Sequence, residues 1–123
     1  MKDEARVGVL LIAHGSRRAE ANADLVQLAD ILRSRGEYPI VETSYLEIAQ
    51  PDISTGGARC VARGATRVKM FPYFLSAGAH VVEDLEASRQ ELAARFPGVD
   101  FQLCPHLGLH PLMVDIVLER LET

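Results

Sequence analysis

Two imidazoles and a carboxylate, His14, Glu47 and His80, stand out as side chains suited to holding a divalent transition metal, because each closes or follows a segment that reads as a β-strand or its loop. Neutral imidazole nitrogen and carboxylate oxygen suit cobalt, nickel, iron or zinc, and three protein ligands leave coordination positions open for a substrate. Histidine also titrates near neutral pH, so the same residues could accept protons. Each has an ordinary reading as well. A lone histidine at a strand end commonly makes structural hydrogen bonds, and Glu47 can be a solvated carboxylate beside a turn. The "HGS" context strengthens His14, since glycine and serine can open the following helix, with Ser16 a candidate N-cap and free backbone N–H groups facing an anion. His80 with Asp84 is an i, i+4 pair in which the carboxylate could orient the imidazole, while Glu83 reads as surface charge. Arg17 and Arg18 are either solvated helix residues or partners for substrate carboxylates. His106 and His110 are also four apart, but Gly108 between them argues against a shared helical face, and His110 is expected near a helix start.

The elements that would position these groups alternate along the chain. Arg6 to Ala13 is a continuous apolar run, as expected of a buried parallel strand. From Arg18 to Arg35 apolar residues recur at helical spacing, and Gly36 supplies a stop. "PIVETSYL" from Pro39 to Leu46 is a second strand, and the "QPD" after it opens a second helix reaching about Arg63, weakened by Gly56 and Gly57. A third strand is expected over 66–74, then the glycine-containing loop "LSAGAH", closed by His80, and a third helix from Val81 to Phe96. After a "PG" turn come a short strand from Val99 to Cys104 and a last helix from Leu112 to Leu121. Four β-α units predict a parallel sheet with helices on both faces. In such sheets ligands lie beyond the carboxyl ends of the strands, so the loops after strands one, two and three share one rim.

Composition narrows the field. A chain of 123 residues with 48% hydrophobic content reads as a single domain over 1–123 with one core. Its 13 basic against 17 acidic residues, a net charge of −4, argue against a nucleic-acid partner. Val7 to Ala13 is too short to cross a membrane and makes a poor signal peptide, which points to a cytoplasmic protein without a membrane partner. Cys60 and Cys104 lack CxxC spacing and are expected in the core. There is no glycine-lysine phosphate loop, so no nucleotide cofactor is expected. Tyr45, Phe71, Tyr73 and Phe74 are core residues by default, though those near strand ends could line a flat apolar cleft.

Taken in order, "LIAHGSRRAEANADL", "SYLEIAQPDI", "RVKMFPYFLSAGAHVVEDL" and "PHLGLHPLMVDIVLER" resemble the sirohydrochlorin cobaltochelatase family of the CbiX/SirB type in its short, single-domain form. The resemblance spans nearly the whole chain. It implies a chelatase-like three-layer α/β sandwich with a four-stranded, flavodoxin-like parallel sheet. It also implies insertion of Co2+, with Ni2+ or Fe2+ as alternatives, into a sirohydrochlorin-like tetrapyrrole. His14, Glu47 and His80 would then be the metal-binding and catalytic group, with Ser16, Arg17, Arg18, Tyr45, Leu75, Ser76 and Gly78 around the macrocycle. Short members resemble half of the larger chelatases, which implies a homodimer. Two other classes compete. A carrier could use the same side chains to bind metal or tetrapyrrole and hand it on, and a phosphoryl-transfer enzyme could use His14 as nucleophile. Against the latter, Ala13 stands where histidine phosphatases carry an arginine.

Overall fold

Residues 5–122 are described by the computed structural model, in which β1 (Val7–Ala13), α1 (Ala19–Ser34), β2 (Ile40–Tyr45), α2 (Ile53–Ala62), β3 (Arg67–Pro72), α3 (Ala79–Arg95), β4 (Asp100–Leu103) and α4 (Pro111–Leu121) follow one another. The four strands are parallel in the order β2-β1-β3-β4. This is the flavodoxin-like arrangement expected. β1 is interior: Gly8–Ala13 pair with Ile40–Tyr45 on one side and Val7–Ile12 with Arg67–Pro72 on the other.

That position explains the unbroken apolar run. Leu10 and Ile12 enter a core with Ile53 and Cys60 of α2, Met70 of β3 and Leu92 of α3, whereas Val9 and Leu11 point the other way, to Leu25 and Ala29 of α1 and to Val41 and Tyr45 of β2. A strand buried on both faces needs apolar side chains at every position rather than alternate ones. Helices α2 and α3 therefore cover one face and α1 the other.

The glycine pair in α2 has a packing cause. A Cβ on Gly56 would lie 2.7 Å from Leu10 Cδ1 and 3.0 Å from Ser44 Cβ, and one on Gly57 would lie 2.7 and 2.8 Å from the Leu92 methyls. The pair lets the α2 backbone rest directly on the sheet and on α3, and this contact offsets a helix-propensity cost of about 1 kcal/mol for each glycine. Asp52 caps the helix, its carboxylate accepting from the Thr55 N–H at 2.8 Å. Helix α3 starts at Ala79, two residues before the expected Val81, so His80 belongs to its first turn and not to the loop. Cys60 is fully buried and its thiol, pushed up to about 12 by burial, points to the Val9 carbonyl at 3.8 Å. Cys104 is only half-buried. Among the described residues no helix is long and apolar enough to cross a membrane.

Candidate metal site

The parallel ladder between β1 and β2 runs on past the strand ends and brings His14 to Glu47. Leu46 N–H donates to the Ala13 carbonyl at 2.9 Å and Glu47 N–H to the His14 carbonyl at 3.1 Å. Gly15 then crosses so near that a Cβ there would sit 1.8 Å from the Glu47 carbonyl oxygen, and its φ of +102° is one that side chains rarely adopt. The same Glu47 carbonyl accepts from Ala49 N–H at 2.7 Å across Ile48, whose φ is 72°. This is a tight three-residue turn. Beyond it, Tyr45 N–H donates to the Pro51 carbonyl at 2.9 Å, closing the loop back onto β2.

As a result His14 Nε2 lies 4.0 Å from Glu47 Oε2, with the two side chains 59% and 63% exposed. At that separation they do not hydrogen-bond, and a neutral imidazole and the carboxylate both keep lone pairs for a third atom. The imidazole stands edge-on to Phe74, 5.5 Å between centroids at 71°. Phe74 itself is buried just past β3, where Tyr73 N–H donates to the Ile12 carbonyl at 2.7 Å. Neither the Phe74 buttress nor the Gly15 contact was evident in the sequence; a glycine after the strand-end histidine was the one available signal for the second.

His80 faces the same rim from β3, but its side chain is fully exposed and its recorded neighbour is Glu83, Nδ1 to Oε1 3.9 Å, rather than the expected Asp84. On a helix the third and fourth residues along both lie beside the first, and here the carboxylate that comes within reach is the third. Among the described residues no three His, Cys, Asp or Glu side chains converge closely enough to hold a metal ion by themselves. Thus His14 and Glu47 come together, while His80 stays apart from them on the first turn of the helix that follows β3.

The other candidates divide in the same way. Ser16 is not the N-cap of α1; that residue is Arg18, which makes no side-chain cap bond. Ser16 Oγ instead accepts from Arg18 N–H at 3.0 Å, and Asn22 holds the Ser16 backbone through Oδ1 at 3.0 Å and Nδ2 at 2.8 Å. A hydroxyl that satisfies a backbone N–H two residues on makes a turn of its own, which moves the helix start along. Tyr45 is 3% exposed and its hydroxyl donates to the Asn22 carbonyl at 2.7 Å, so it is a core residue with no face toward the rim. Burial also raises its phenol above the ordinary value. Arg17 and Arg18 are exposed beside the start of α1, and Leu75, Ser76 and Gly78 are exposed on the β3–α3 connection. Gly78 is the N-cap of α3 and leaves its first turn without a side-chain cap. His110 does sit at a helix start, its Nδ1 accepting from Leu112 N–H at 3.1 Å.

Known proteins resemble this chain in sequence and in fold. A chloroplastic sirohydrochlorin ferrochelatase of Arabidopsis thaliana is 35% identical over 94% of this chain and 51% of its own length. Other relatives are named for cobalt as well as for iron, including a sirohydrochlorin cobaltochelatase and a sirohydrochlorin ferrochelatase of Priestia megaterium. The crystal structure of the chelatase SirB from Bacillus subtilis subspecies spizizenii with cobalt superimposes with a TM-score of 0.87 at 27% identity, over 95% of this chain and 50% of SirB. A CbiX protein from Marinobacter aquaeolei gives 0.76 at 30% identity, over 94% of this chain and 98% of its own. The chain thus spans about half the length of the plant relative and of SirB, and nearly all of the Marinobacter protein. With the CbiX family model matching residues 8–123, this chain belongs to the CbiX family.

Proposed function

We propose that this chain inserts a divalent metal ion into sirohydrochlorin without nucleotide hydrolysis, as a single chelatase-like domain over 1–123 working in the cytoplasm. The observation that carries the reading is the His14–Glu47 pair, 4.0 Å apart and open to solvent at the carboxyl end of the sheet. Insertion exchanges two pyrrole N–H protons of the macrocycle for one M2+, so the site must hold the ion loosely and take up protons. A nitrogen–oxygen pair does the first, because the macrocycle nitrogens supply the remaining ligands and the ion leaves with them. An imidazole that binds the ion through one nitrogen cannot use that nitrogen as a base. We therefore assign the incoming ion to His14 and Glu47, and to His80, on the facing lip, the completion of delivery or the uptake of a pyrrole proton.

The carboxylates of the substrate meet Arg17, Arg18 and the N–H groups at the uncapped starts of α1 and α3. Leu75, Ser76 and Gly78 form the lip against which the macrocycle face rests. Co2+ is the metal we favour, with Ni2+ and Fe2+ as alternatives, since imidazole and carboxylate ligands discriminate little among them. As the resemblance to short family members implies, two copies act as a homodimer, the second supplying the wall that one copy lacks.

An anaerobic absorbance time course of sirohydrochlorin with Co2+, Ni2+ or Fe2+ tests the reading. A rate well above the uncatalysed one that collapses in His14→Ala supports it. A stoichiometric spectral shift without turnover would make the protein a carrier instead.

A further inference from the structure

Helix α4 has the composition of a buried helix and the surroundings of an exposed one. Apolar residues at 112, 113, 114, 116, 117, 118 and 121 sweep an arc of about 240° at about 100° per residue, interrupted by Arg120, while Asp115 and Glu119 mark a narrow polar strip. A helix packed on one side needs an apolar stripe of only about 100°. Yet Leu112, Val114, Ile116, Val117, Leu118 and Leu121 are all exposed, and no residue of α4 is buried.

The α1 face of the sheet has the opposite character. Val9, Leu11, Leu28, Leu32, Phe71 and Tyr73 line an apolar groove of about 350 Å3 there. Along β3, Val68 and Met70 on the other face are fully buried, but Lys69 and Phe71 on this one are half-exposed, because α1 lies over β1 and β2. Lys69 lines the groove without an ion pair among the described residues. The chain's own helix does not fill it. Leu107 closes one end, the backbone turns at Gly108 with φ 56°, and α4 begins at Pro111 without extensive contact with any strand or helix.

We propose that the groove receives α4 of a second copy of this chain, each copy lending its helix to the other, with Asp115 and Glu119 meeting Lys69. The proposal rests on the homodimer inferred above and states which surfaces form it. One side of the apolar arc fills the partner's groove, and the rest packs across the twofold axis, as a self-complementary interface allows. It also bears on the site, because Leu109, Met113 and Val117 enclose a cavity of about 270 Å3 with Leu75 of the β3–α3 connection. A partner that grips α4 therefore steadies the lip carrying His80.

Light scattering on the full chain should give the mass of a dimer, and Ile116→Asp, on the side of the arc next to Glu119, or Tyr73→Asp, with circular dichroism unchanged, should weaken it about 100-fold or more. Tyr73→Cys/Ile116→Cys on a Cys104→Ser background should close disulfides between chains on mild oxidation, read as covalent dimers on a non-reducing gel. A dimer untouched by both aspartate variants and giving no covalent pair overturns the exchange but leaves the homodimer standing. A monomeric wild type overturns both. Disulfide-closed monomers would place each α4 in its own groove and also overturn the proposal.

Discussion

The two lips of the rim are built differently. On the β1–β2 side, His14 and Glu47 are fixed by backbone hydrogen bonds that continue the sheet, by a glycine with no room for a side chain and by the edge of Phe74. On the β3 side, His80 projects into solvent from the uncapped first turn of a helix, 3.9 Å from Glu83. The first lip is preorganised and the second is not. Under the function proposed above, which needs an ion to be seized and then given up, this division would put rigidity where the ion is first held and freedom where the macrocycle enters.

Substitutions can break that contrast. The largest effect is expected from Gly15→Ala, which drives a methyl into the Glu47 carbonyl at a positive φ and should cost about 3 kcal/mol or more, read by urea denaturation. Gly78→Ala, at the matching place on the other lip, has a negative φ and nothing within 4 Å of the added carbon. It should move stability by no more than about 0.5 kcal/mol. Next comes chemistry. His14→Ala should lower sirohydrochlorin metallation about 100-fold or more, with Glu47→Gln and His80→Ala each costing less, about 10-fold, in initial rates at saturating metal. Equal losses at His14 and His80 would erase the difference between the lips.

A smaller effect probes the anchor of the β2–α2 loop. Asp52→Ala should cost about 1 kcal/mol at neutral pH by removing the cap of α2. The Thr55 N–H holds the Asp52 carboxyl below the usual carboxylate range. A lowered folded-state value contributes stability that is complete above the unfolded value and is lost as pH falls through the folded one. The gap between wild type and variant should therefore be full above about pH 5 and close in strong acid, as urea melts along a pH series would show.

Much of this was legible in the residues. Strand β1 announced itself because a strand buried on both faces cannot alternate, and the order His14, Glu47, His80 beyond three strands consecutive in the chain follows from parallel connectivity alone. What escaped were facts set by contact between distant segments. Ser16 has the right chemistry for an N-cap, but its hydroxyl turns to Arg18 N–H, and Asn22 then ties down its backbone. Tyr45 ends its strand like a rim residue, and only the Asn22 carbonyl across the interface draws its hydroxyl inward. Gly56 and Gly57 look like helix breakers until Leu10 and Leu92 are seen pressed against them. In each case local preference was overruled by a neighbour that sequence distance conceals.

The interior position of β1 has a consequence for time as well as for place. Its amides are shared between two ladders, with β2 and with β3, so they can meet solvent only when the sheet itself opens. Hydrogen–deuterium exchange should find Leu10 to Ile12 among the slowest amides and the first turn of α3 among the fastest. His14 is thus fastened to the part of the molecule that opens last, and His80 to a helix end that frays many times before the sheet opens once.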